Sequence, residues 1–349
     1  MNQMFLNIRL SKTRRLIQMG RCVSLCAVTS LAILLGADFP VVGDPEPPLS
    51  RNSPRVYDVT IRVNPRSSMS RGWPYVEETN WSYLTPTSFR VTNQVNQNLD
   101  FSSKVLLKQA KQWHVSIDDA TEYQIHFTET AYASRLNDDN ANLIPWNTEW
   151  EEDIAFYLKP SLYVRSSDPV FSSIVETIIN KETITPNIAA KKLIRYCLQN
   201  TNSNGEFANN EKMQTTGLQI RGAKHALTSG KQVSATDALC ACIATLRAAG
   251  IPARPVVGIT DVATNGSKLK YPTYVVWGEY ALQGAGWVPF SAKRMRGTVN
   301  NLDLNAPWDG LGTWRNLNRH IPIAINFGLY DAKSAIQEIQ IRFRSSPTS

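Results

Sequence analysis

The chain has 349 residues, 42% hydrophobic and 19% charged, long enough for two domains with a sizeable core and unlike a disordered or fibrous chain. A formal charge of +8 suggests a polyanion partner until its distribution is read. Arg9, Lys12, Arg14, Arg15 and Arg21 precede position 38, where no acid occurs, and without these five the chain carries only +3, which argues against a nucleic-acid partner.

In chain order, residues 1–21 are basic and Cys22–Leu35 is apolar, the pattern of an export signal and short for an anchor of ~20 residues. The expectation is a signal peptide over 1–37, cleaved after Ala37, for a periplasmic, cell-envelope or secreted destination. The alternative is an uncleaved anchor over 22–37, which would then be the chain's sole membrane contact. Thr13-Arg14-Arg15 matches a twin-arginine signal only loosely. Asp38–Arg55 is Pro-rich and aperiodic, so 38–55 reads as a linker.

From Tyr57 the pattern alternates strictly, with Tyr57, Val59, Ile61 and Val63 on one face and Asp58, Thr60, Arg62 and Asn64 on the other, which predicts a half-buried strand. Phe89–Val95 and Tyr123–Thr128 are further strands, so 56–160 reads as a β-rich domain. Asn137–Asn142 contains Asp138 and Asp139 but lacks calcium-loop spacing, and reads as a solvated turn.

Residues 161–349 form the second domain. Asp168-Pro169 opens one helix, with Val170, Ile174, Val175, Ile178 and Ile179 as its buried stripe, and Thr185-Pro186 opens another, with Ala189, Leu193, Ile194 and Cys197 inward. Arg221–Gly230 is a short helical piece carrying His225. Ser234–Arg254, SATDALCACIATLRAAGIPAR, is the stretch around which the chain is organised. Ser234 is an N-cap, Asp237 completes an approximate capping box, and Ala235, Leu239, Cys242, Ile243 and Leu246 form one buried stripe. Gly250 and Pro252 end the helix before a buried strand. Tyr271–Tyr280 and Trp287–Phe290 form a hairpin around Gln283–Gly286, with Val275, Trp277 and Glu279 on one strand face. An apolar strand near Ile321 and a last strand over Ile336–Phe343 are expected to close the core sheet.

Two of these blocks carry a resemblance. LRAAGIPARPVVG, followed by WGEYALQGAGWVPF, resembles the core of the transglutaminase-like superfamily. The resemblance implies an α+β fold, with a β-rich N-terminal domain followed by a transglutaminase-like (papain-like) core. It also implies a Cys-His-Asp triad with the nucleophile at the start of the central helix. The family's Cys lies twelve residues before Arg247, where this chain has Ala235. The His of H-x-W-x-E falls on Val275, with Trp277 and Glu279 kept, and the Asp after GWVP falls on Ser291. A helix dipole favours a thiolate, an imidazole moves its proton and a carboxylate orients the imidazole. Ala, Val and Ser at these positions supply none of those functions.

Cys197, Cys240 and Cys242 follow the export segment; Cys197 and Cys242 fall on apolar stripes, and Cys240 lies about 140° around the helix from position 235. No His, Cys and carboxylate spacing suggests a metal, and no cofactor is expected. The sequence therefore reads as a pseudoenzyme, an exported binding or scaffold module for a protein, peptide or glycan partner. Ser234, Thr236, Asp237, Trp277, Glu279 and Trp287 are its expected cleft-lining residues. The alternative is a cysteine hydrolase or protein-amide acyl transferase with a relocated nucleophile.

Overall fold

The alternation at Tyr57 becomes a strand because its odd side, Tyr57, Val59 and Ile61, is buried while its even side is paired or solvated. The computed structural model describes residues 46–63, 73–75, 78–100, 102–107, 110–115, 122–147, 149–181, 183–201, 220–229, 233–262, 268–327 and 336–344. The segment expected to direct export, 1–37, lies outside the described residues.

The chain opens with strands β1 (Leu49–Val63), β2 (Trp73–Tyr75), β3 (Ser82–Leu84), β4 (Arg90–Asn93), β5 (Ser102–Leu107), β6 (Ala110–Val115) and β7 (Tyr123–Leu136). Helices α1 (Asp138–Ala141), α2 (Glu152–Ala155), α3 (Pro169–Ile178), α4 (Pro186–Asn200), α5 (Ala223–Thr228) and α6 (Ala235–Ala248) follow. The remainder is β8 (Ala253–Val262), β9 (Lys268–Leu282), β10 (Gly286–Phe290), α7 (Ala292–Met295), β11 (Trp308–Asp309), β12 (Gly312–Thr313), β13 (Ile321–Ile325) and β14 (Ile336–Arg344).

Two sheets carry the fold. The first runs β14-β1-β7 with β3 and β4 on the far edge of β7, and the second runs β10-β9-β8-β13. The strand-rich N-terminal region is thus as the sequence implies, with two differences. β1 starts at Leu49, inside the stretch read as a linker. A bulge between Asn52 and Arg55, with Ser53 at φ 48 and Pro54 lacking an amide donor, hides the alternation there. β13 joins the core sheet as expected, but β14 pairs with β1, Tyr57 opposite Phe343, and so extends the first sheet instead of closing the second.

The central helix α6 was expected to bury one stripe; it is buried from Thr236 through Arg247. Small residues make this possible. Ala238, Ala241 and Ala244 let neighbours approach the faces between Leu239, Ile243 and Leu246, with α3, α4 and α5 packed around the helix and β8 and β9 beneath it. Shortening any of these three large side chains to Ala would cost about 2–5 kcal/mol. Ser234 caps the start by accepting from the Asp237 amide at 3.0 Å. Gly250, at φ +86, takes the left-handed turn that ends it. Arg247 then ties the helix end to the following turn, donating to the Ala253 carbonyl at 2.7 Å and the Lys159 carbonyl at 2.7 Å.

Candidate functional site

The start of α6 is where the resemblance places a nucleophile. Ala235 is half-buried there, beside the buried Ser234, Thr236 and Asp237. Asp237 Oδ1 accepts from the backbone amides of Arg221 at 2.7 Å and Gly222 at 2.9 Å, pinning the preceding loop to the helix. The carboxylate is thereby committed to backbone donors. His225, on α5 against this helix, faces Arg221, whose Nη1 is 3.3 Å from its Nε2.

The strand face predicted for Val275, Trp277 and Glu279 exists, and it packs on tryptophan. Val275 lies against the cluster of Trp81, Val256, Trp277, Trp314 and Leu317. The alternate residues Tyr274 and Tyr280 of β9, with Val257 and Ile259 of β8, join the cluster that contains α6. Gly258 is where Trp277 lands: a Cβ there would stand 2.5 Å from the indole. His320 closes the cluster, its ring centroid 4.8 Å from that of Trp314 and 6.1 Å from that of Trp277. Its Nδ1 lies 2.7 Å from the Asn316 carbonyl, and burial holds its pKa down at about 4, so it is neutral at physiological pH.

Trp277 and Glu279 therefore line no open cleft; they are 1% and 0% exposed. Glu279 accepts from Arg254 Nε at 2.9 Å and from Trp277 Nε1 at 3.3 Å. Burial alone would lower the Arg254 pKa, but Glu279 and Tyr157 hold it above the ordinary value. The guanidinium lies 4.0 Å from the Trp287 ring centroid, and Tyr157 stands edge-on to the same ring at 5.2 Å. Ser291 caps the short helix α7, its Oγ accepting from the Arg294 amide at 3.2 Å. The positions that the resemblance assigns to a triad, Ala235, Val275 and Ser291, thus hold a methyl group, an isopropyl group in a tryptophan cluster and a capping hydroxyl.

Among the described residues the cysteines, Cys197, Cys240 and Cys242, are free and buried, and burial raises the pKa of Cys240 and Cys242 well above the ordinary thiol value. Cys197 Sγ lies 3.3 Å from Thr245 Oγ1. Among the described residues no group of three His, Cys, Asp or Glu is arranged to hold a metal.

The profile of the transglutaminase-like superfamily matches residues 174–292, which span α6, β8, β9, β10 and Ser291. This segment is a transglutaminase-like domain. One solved structure shares the fold over most of the chain. A candidate cysteine protease from Cytophaga hutchinsonii superposes with a TM-score of 0.53 at 12% identity, over 86% of this chain and 94% of that one. The periplasmic domain of TgpA from Pseudomonas aeruginosa aligns at a TM-score of 0.33 and 12% identity, over 75% of this chain and all of that one. No curated protein matches the sequence.

One buried polar assembly, which the sequence did not announce, joins the matched segment to residues on either side of it. Asp138, expected in a solvated turn, is 4% exposed because Lys191 of α4 reaches it at 2.5 Å. Lys191 also donates to the carbonyls of Leu304 at 2.9 Å and Ala306 at 2.8 Å. Asn187 links the pair to Tyr280, whose hydroxyl donates to its Oδ1 at 2.8 Å. Lys191 and Asn187 sit at apolar-stripe spacing, so nothing in the sequence marks their partners.

Proposed function

We propose that this protein is an exported, catalytically inactive transglutaminase-like protein that acts as a binding or scaffold module for a peptide or glycan. The observation that carries this reading is the start of α6. Its cap, its pinned loop and its buried helix are intact, while the residue at the nucleophile position is Ala235. Fold alone assigns no activity, so the reading rests on the side chains. Val275 and Ser291 remove the base and its orienting carboxylate, and the buried thiols weigh against a relocated cysteine nucleophile. Export is supported by the basic and apolar segments within residues 1–37. Among the described residues no helix is long and apolar enough to cross a membrane.

The test is an assay of the purified protein for amine incorporation into casein and for hydrolysis of peptide amides, beside the triple variant Ala235→Cys, Val275→His and Ser291→Asp. The reading expects neither activity in the natural protein. Turnover that survives in the natural sequence, and is abolished by alkylation of one cysteine, would establish the hydrolase or acyl-transferase alternative.

A further inference from the structure

A cleft of about 540 Å³ opens at the turn between β9 and β10, within the roughly 300–1,000 Å³ of small-ligand sites. It lies at the C-terminal end of β9, whose midpoint is Val275. Trp150 supplies indole surface and Trp287 lies buried in the wall, while Glu149 and Glu151 supply carboxylates and Asn80 and Gln283 supply amides. Among the described residues no Lys or Arg lines it.

The two indoles differ in burial. Trp287 is 2% exposed and is held by Arg254 on one side, by Tyr157 at its edge and through its carbonyl, which accepts from Trp81 Nε1 at 3.1 Å. Trp150 is half-buried and packs with Ile154 against the small cluster of Tyr157, Ala281, Trp287 and Ile325. The turn itself is built for close approach. Gly284 and Gly286 have φ of +73° and +95°, and a Cβ on Gly286 would stand 2.7 Å from Asn80 Nδ2, so the wall there is backbone.

We propose that this cleft binds a neutral saccharide. Amides both donate and accept, carboxylates accept from hydroxyls, and an indole covers the apolar C–H face of a sugar ring. The two carboxylates, with no cation among the described lining residues, disfavour uronic, sialylated and phosphorylated glycans, whose charge would face Glu149 and Glu151 unpaired. The proposal rests on the reading of the chain as a binding module and names the ligand class it takes.

The experiment is calorimetric and tryptophan-fluorescence titration of the full chain with cellotetraose, maltotetraose and chitotetraose, with tetragalacturonate and spermidine as charged probes. The expected result is saturable binding of at least one neutral tetrasaccharide. It weakens tenfold or more in Trp150→Ala with an unchanged melting temperature, and changes less than threefold in Glu149→Gln/Glu151→Gln. Tetragalacturonate leaves the signal flat. No binding of any neutral tetrasaccharide, binding indifferent to Trp150→Ala, or spermidine binding lost in the double Gln variant with no neutral sugar bound would each overturn the proposal. Such failure with no catalysis leaves the module reading standing, whereas turnover by the natural protein overturns that reading and leaves the cleft to be judged by its own titration.

Discussion

Arg254 and Glu279 face each other in register across β8 and β9, joined at 2.8 Å with both side chains buried. These are the last residue of GIPAR and the Glu that follows Trp277, so the two sequence blocks that carry the resemblance meet in one ion pair. Their role is structural here: the pair neutralises a charge buried against Trp287 and fixes the hairpin.

Removing one partner strands the other charge in the interior, so Glu279→Gln and Arg254→Met should each destabilise the protein by about 3–5 kcal/mol. The double variant should cost clearly less than the sum of the two. Urea denaturation of the four proteins measures this. Additive losses would show that the pair does not act as a unit.

Glu129 of β7 gives an alkaline sensitivity. It is fully buried, and neither carboxyl oxygen has a hydrogen-bond partner among the described residues. Burial pushes its pKa up to about 8 from 4.5, Glu78 adds to the shift, and the nearby Ser82 offsets part of it. Between these two values the folded chain holds a proton that the unfolded chain has released. The contribution is fully present below about pH 4.5, falls as pH rises, and is gone above about pH 8. Glu129→Gln should flatten the slope of melting temperature over that window, and an unchanged slope would rule Glu129 out as its source.

His320 gives the opposite, acidic sensitivity. Its folded pKa of about 4 lies below its ordinary 6.5, so the unfolded chain binds a proton that the folded chain refuses. Stability from the neutral ring is present above about pH 6.5 and is lost as pH falls towards 4. Because Glu129 acts in the other direction, the two slopes should cancel between about pH 4.5 and 6.5, leaving a plateau. His320→Phe should replace the plateau by continued stabilisation on acidification down to about pH 4.5. The slope is the readout, since the variant also forfeits the bond to Asn316.

What the sequence disclosed and what it hid follow from range. The limits of α6 are local chemistry, a Ser cap at one end and a positive-φ glycine at the other, and both are legible. The true start of β1 was hidden by the Asn52–Arg55 bulge, which breaks a period-two pattern without ending the strand. Alternation marks β14 as a strand but cannot name its partner, which lies near the other end of the chain. Asp138 looked like a turn residue because Lys191, 53 positions away, is invisible to any local rule. The cleft residues Glu149, Trp150 and Glu151 follow no helical or strand period, so their convergence with the β9–β10 turn appears only in three dimensions.

The most direct measurement is labelling of the folded protein at neutral pH with a mild thiol electrophile, with sites and rates read by mass spectrometry. With Cys197, Cys240 and Cys242 buried, all three should react only after denaturation, as expected of a chain without a cysteine nucleophile. Rapid modification of one of them in the native state would reveal an accessible thiolate and contradict the account.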